Sequence, residues 1–166
     1  VAKADNSLFW LASDRTIRRL SGQTPVKVSQ QGMEERVATY ATVSDCEAYS
    51  FTWNGNVFVC FRFPSESITW VYCVNVGEWH ESTADWVTAI HHAGKVWVQH
   101  VDGSVGYLSD TVASHFGEAV IREVTFPNIA KGDERGFHSR FRAIFRTGDV
   151  GATITPMVQL DLSNDG

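Results

Sequence analysis

From Ser7 to Ser109 the chain alternates between short apolar runs and tight polar breaks, a texture that predicts strands and hairpins rather than long helices. Ser7–Ala12 (SLFWLA) reads as one strand, Ser13-Asp14-Arg15 as a polar turn, and Thr16–Leu20 as the partner strand. Gly22 and Pro25 break the chain before a third short strand at Val26–Ser29. Gln31–Tyr40 then changes period. Met33, Val37 and Tyr40 fall at i, i+4 and i+7, and Glu34 and Glu35 sit in the first turn, where the dipole favours acids. This is the one helix the pattern predicts.

Alternation resumes at Ala48–Trp53. Asn54-Gly55 is the strongest short hairpin signal in the chain, and Asn56–Phe63 is its return strand. Pro64–Ser67 turns into Ile68–Asn75, and Val76-Gly77-Glu78 leads to a brief edge strand at Trp79–Glu81. The pattern restarts with strands at Asp85–His91, Lys95–Val101 and Ser104–Ser109, separated by turns at His92–Gly94 and Asp102-Gly103.

A repeat underlies this order. Asn6-Ser7-Leu8-Phe9-Trp10, Gly55-Asn56-Val57-Phe58-Val59 and Gly94-Lys95-Val96-Trp97-Val98 each place a turn before an apolar-aromatic strand. Asn6–Leu20 also aligns with Gly94–Leu108 without a gap, matching Asp14 with Asp102 and Leu20 with Leu108. Short-strand units of roughly forty residues with recurring tryptophans are the mark of propeller blades. The expected fold is all-β, with about two and a half propeller-like blades over residues 1–127. The texture changes after Ser109. Glu118–Phe126 reads as a further strand, 128–136 as a polar Gly-containing linker, and 137–166 as the start of a second, sandwich-type β domain. There Phe137–Thr147 and Ala152–Leu162 form a predicted hairpin across the turn Gly148–Gly151. The ends read as cut: the chain opens on Val1 and stops in Leu162–Gly166, as a piece of a longer protein would.

Composition narrows the function. An apolar share of 43% with 20% charged residues suits a packed core rather than disorder. The net charge of −5 argues against a free-standing nucleic-acid binder, which needs surplus Lys and Arg, though a local basic face is compatible with it. Three cysteines leave one unpaired in any scheme and match no metal-binding spacing. Cys60 and Cys73 fall in neighbouring predicted strands, so a bridge between them is geometrically conceivable, but reduced buried thiols are the default in a reducing cytoplasm. No apolar run approaches the ~18–20 residues that span a membrane as a helix.

Few residues carry candidate chemistry. In Phe137–Thr147, His138, Arg140, Arg142 and Arg146 share one face. The guanidinium groups of Arg140, Arg142 and Arg146 suit phosphates or the carboxylates of a neighbouring subunit; the same pattern also describes the solvated side of a half-buried strand. His91 and His92 point to opposite faces, so they cannot serve one metal, and His80, His91 and His100 meet only if the strands bring them together. There is no nucleophile elbow, P-loop or dinucleotide fingerprint, and acids such as Glu78, Glu81, Asp85 and Asp102 sit at turns and strand ends. The sequence therefore points to no catalytic, metal or cofactor site. Ser163-Asn164-Asp165-Gly166 matches the opening of an Asp-box turn, which is structural. Of Trp10, Trp53, Trp70, Trp79, Trp86 and Trp97, at least four are expected in the core rather than on a sugar-stacking surface.

The wording of the central unit goes further. Within Asp45–Ser82, the runs Phe61-x-Phe63-Pro64-Ser65, Thr69-Trp70-Val71-Tyr72 and Gly77-x-Trp79-His80-Glu81 resemble the packaged-DNA stabilisation proteins, or tail accessory factors, of short-tailed bacteriophages. The resemblance covers Asn6–Ser109 and extends loosely through Phe137–Gly166. It implies a propeller-containing structural virion protein, assembled in the host cytoplasm as a homo-oligomeric ring. Its implied partners are the portal or adaptor and a tail needle or plug, with encapsidated DNA passing through the channel without sequence-specific binding. It brings no catalytic residues. Two rivals stand beside it: a receptor- or carbohydrate-binding tail protein, and a sialidase-like glycosidase with an arginine cluster and paired acids in a central pocket.

Overall fold

The computed structural model describes residues 1–112, 114–120, 123, 142, 144 and 157–160. Half of these residues lie in strands, all antiparallel, and the chain divides into two compact units, Val1–Leu108 and Ser109–Gly166. The division falls at 108/109, ahead of the boundary expected at 128–136.

The first unit holds three sheets in which every strand pairs with its neighbour in sequence. Sheet 1 contains β1 (Ala2–Ala4), β2 (Ser7–Leu11), β3 (Ile17–Ser21) and β4 (Thr24–Lys27). Sheet 2 contains β5 (Glu47–Trp53), β6 (Asn56–Phe63), β7 (Ile68–Cys73) and β8 (Glu78–Ser82). Sheet 3 contains β9 (Trp86–His92), β10 (Lys95–His100) and β11 (Val105–Tyr107). Helix α1 (Gln31–Ala38) joins sheets 1 and 2 and buries Met33 and Val37, as its spacing requires.

The repeat is written into the turns. Each sheet begins with a two-residue hairpin whose residues both have positive φ: Asp5-Asn6, Asn54-Gly55 and Ala93-Gly94. Such turns match the right-handed strand twist. The longer alignment holds atom by atom. Asp14 accepts from the Thr16 N–H at 3.1 Å, and its counterpart Asp102 accepts from the Ser104 N–H at 2.7 Å. Ala12 bonds to Thr16 as His100 bonds to Ser104, and the positive φ of Arg15 recurs at Gly103.

Pairing register sorts the side chains onto faces. In sheet 2, one face carries Val57, Val59, Phe61, Phe63, Trp70 and Tyr72, which pack with Phe9 and Ile17 of sheet 1 and with Met33, Val37 and Tyr40. Phe9, Phe61, Ile17, Val37 and Val59 are fully enclosed there. Two polar ties fix the helix and the segment that leads into it. Arg15 donates through Nη1 to the carbonyls of Val37, Ala38 and Tyr40 at 2.8–3.1 Å, satisfying the orphan acceptors of the helix end. Trp79 donates its indole N–H to Val28 at 2.8 Å. The other face of sheet 2 presents Tyr49, Phe51 and Trp53 to Ala89, Val96 and Val98 of sheet 3. First strands meet across these layers, β1 against β5 and β5 against β9.

Several expectations shift. The third strand forms at Thr24–Lys27 rather than Val26–Ser29, because Pro25 fits an edge strand that needs no N–H there and Ser29 instead turns its hydroxyl to Ile17 and Glu34. Cys46, Cys60 and Cys73 are free thiols. Cys60 stands opposite Val71 and Cys73 opposite Phe58, a diagonal whose usual separation of about 7 Å exceeds disulfide reach.

In the second unit, β12 (Ser114–His115) and β13 (Glu118–Ala119) form a small hairpin around Phe116-Gly117, again with two positive φ values. The strand expected at Glu118–Phe126 is present only in those first two residues, with Val120 and Glu123 outside it; the rest of it and the 128–136 linker lie outside the described residues. Of the expected 137–166 hairpin, residues 142, 144 and 157–160 are described and belong to no strand. Ile144 and Met157 are exposed.

Candidate functional site

Sheets 2 and 3 meet imperfectly and leave a cleft of about 230 Å³. Strand β5 supplies Tyr49, Phe51 and Trp53, β6 supplies Phe58 and Cys60, and β7 supplies Thr69 and Val71. Phe51 and Phe58, cross-strand partners, stack with centroids 5.2 Å apart, and Trp86 meets Phe51 edge-on at 6.2 Å. Period-two alternation produces this wall: each of these β5 and β6 residues points away from the main core.

The cleft is chemically quiet. Tyr49 and Cys60 sit opposite each other across β5 and β6 and share a hydrogen bond. Burial pushes the Cys60 thiol up to about 12 and the Tyr49 phenol well above its ordinary value, so both stay protonated at neutral pH. No Asp, Glu or His is among the lining residues. The arrangement accepts apolar matter and offers neither a thiolate nor a general base.

On the same face, Arg62 is buried and donates through Nη1 to Glu47 at 3.0 Å, while its Nε has no hydrogen-bond partner. Asp45 holds the neighbouring turn: its Oδ2 accepts from the Ser65 hydroxyl at 2.6 Å and the Ser65 N–H at 2.9 Å. Those bonds, the hydroxyl's first, hold the Asp45 carboxyl below its usual range. These groups lock a turn against a sheet and are structural.

The remaining candidates separate. Arg142 is exposed, and Arg140 and Arg146 lie outside the described residues. His80 sits in sheet 2, and His91 and His100 in sheet 3, where they pair with Val96 and Trp86 respectively. No group of three His, Cys, Asp or Glu residues is placed to hold a metal among the described residues. No described helix is long and apolar enough to cross a membrane.

Tryptophan placement is the informative result. Trp53, Trp70, Trp79 and Trp86 belong to the cores between sheets. Trp10 and Trp97 do not: they lie on the outward faces of sheets 1 and 3, beside Leu8 and Ile90. The outward face of sheet 3 continues through Val105 and Tyr107, with Trp97 meeting Tyr107 edge-on at 5.4 Å and Lys95 Nζ 3.7 Å from the Tyr107 centroid. Sequence periodicity finds these residues on strands but cannot tell which face of a stack is the last. No family model, curated protein or solved structure matches this chain.

Proposed function

We propose that this chain is a structural protein of a short-tailed bacteriophage virion, assembling as a ring below the portal or adaptor, extending the tail channel and retaining packaged DNA until ejection. The observation that carries the reading joins wording to form. The Asp45–Ser82 segment, whose residue order resembles the packaged-DNA stabilisation proteins, makes one complete four-stranded meander. It stacks through its first strand between a second four-stranded meander and a three-stranded one, an arrangement that blades of a propeller share.

In this reading the work is mechanical, with no catalytic group and no cofactor. Rigid, turn-edged sheets supply the walls of a conduit, and a tail needle or plug closes it. A net charge of −5 lets DNA slide rather than grip, and a strongly basic channel wall in the assembled tail would count against that step. Electron microscopy of particles made with the gene disrupted tests the whole. Heads that fill and then lose their DNA, with shortened tails, are the expected result. Full heads that fail only to adsorb would overturn it in favour of a receptor-binding protein. One observation favours that second reading: Trp97 and Tyr107 stand on an outward face with Gln99 and Lys95. Titration with host-surface glycans tests it.

A further inference from the structure

The repeat assigns each sheet two distinct faces. Face B carries Phe9 in sheet 1, Phe58 in sheet 2 and Trp97 in sheet 3; face A carries Leu8 and Trp10, then Val57 and Val59, then Val96 and Val98. Within the unit, face B always packs on face A of the next sheet. Phe9 meets Tyr72 on face A of sheet 2, and Phe51 and Phe58 of face B lie toward Val96 and Val98. Among the described residues, two faces are left over. Face B of sheet 3 exposes Ile90 (63%), Val105 (62%) and Tyr107 (48%), and face A of sheet 1 exposes Leu8 (41%).

These two faces are the halves of one more joint of the kind already made twice. We propose that the chain self-associates head to tail, with sheet 3 of one copy packing its Ile90–Trp97–Tyr107 face onto the Leu8–Trp10–Leu20 face of sheet 1 of the next. Continuity with the two internal joints carries the argument. Ile90 and Trp97 are register partners, as Phe51 and Phe58 are one sheet earlier, where Phe51 packs against sheet 3 and both line the cleft. The sheet 1 face also carries Lys3, Arg18 opposite Trp10, and Lys27; Arg18 pairs with Asp14 at 2.6 Å and Lys27 with Glu34 at 3.0 Å, which offsets two of these charges. A heterologous contact of this kind closes into a ring when its rotation permits, and otherwise grows a filament.

The inference deepens the ring-assembly reading and rests on it for its context. A solution measurement tests the contact and the particle images test the virion role, so either can fail alone. Sedimentation of the purified chain is compared with Leu8→Glu and Ile90→Glu, both exposed positions, with circular dichroism to verify folding. The wild type is expected to associate, and each substitution to weaken association roughly a hundredfold by burying a charge in the contact. An equimolar mixture of the two variants should recover a dimer, because one intact face of each remains. A monomeric wild type, or substitutions without effect, would overturn the proposal. A mixture that stays monomeric would overturn it too, since that outcome belongs to a symmetric contact.

Discussion

Arg62 and Glu47 form an unequal pair, and truncating each partner should cost differently. The Arg62 side chain is 11% exposed and Glu47 51%, so the arginine depends on the carboxylate far more than the reverse. Breaking a fully buried pair costs about 3–5 kcal/mol; solvent around Glu47 screens its share, leaving about 1–3 kcal/mol for Glu47→Ala. Arg62→Met loses one hydrogen bond but removes a buried Nε that has no partner, while Glu47 rehydrates. Its net effect should stay within about 1 kcal/mol of zero. Tryptophan emission during urea unfolding reads this cleanly, because all six tryptophans lie in the Val1–Leu108 unit. With a slope of about 1–3 kcal/mol per molar urea, Glu47→Ala should lower the midpoint by about 1 M and Arg62→Met hardly move it. Glu47→Gln should fall between them. A midpoint lowered as much by Arg62→Met as by Glu47→Ala would refute the reasoning.

Phe61→Ala should cost about 3–5 kcal/mol, the range for emptying an enclosed aromatic site, and the same urea titration checks it. Acid stability should depend on two exposed turns. Hydrogen bonds from Thr16, then from Arg18, lower Asp14 to about 2, and Ser104 does the same for Asp102. Because both folded values lie below the unfolded one, their contribution is present above about pH 4 and fades as pH falls toward 2. Asp14→Ala and Asp102→Ala should each flatten that limb of a stability–pH profile. Thiol chemistry gives another readout: Cys46 and Cys60, both pushed up to about 12 by burial, should resist alkylation at neutral pH until urea is added. Mass-mapped labelling of native protein at Cys60 would contradict this.

Much of the first unit was readable because its signals are local. Asn54-Gly55 dictates a hairpin through its φ preferences alone, and the 3.6-residue spacing of Met33 and Val37 dictates a helix face. Strand β1 was invisible: Ala2-Lys3-Ala4 has little strand propensity and extends only because β2 offers a ladder. Ala93-Gly94 was blurred into its neighbours, since alanine gives no warning of a positive φ. The candidate surfaces were half legible. Alternation placed Trp97 and Trp10 on strands, but which layer ends a stack is a property of tertiary order. Of Arg140, Arg142 and Arg146, Arg142 alone is among the described residues, so the predicted arginine face lies largely outside them.

Nearest-neighbour pairing within the three sheets also bears on how the chain is made. Each sheet closes its hydrogen bonds using only residues already synthesised, so growth from the amino end can complete one layer before the next begins. Loop closure stays short throughout, which favours speed over the long waits of non-local β topologies. Every newly finished layer nevertheless shows an uncovered aromatic face until its successor arrives: first Phe9, then Phe58. Translation pauses placed between layers would therefore lengthen the life of a sticky surface, and the stretch after Ser82, where sheet 2 is whole and sheet 3 unmade, is the most hazardous point for a stalled chain.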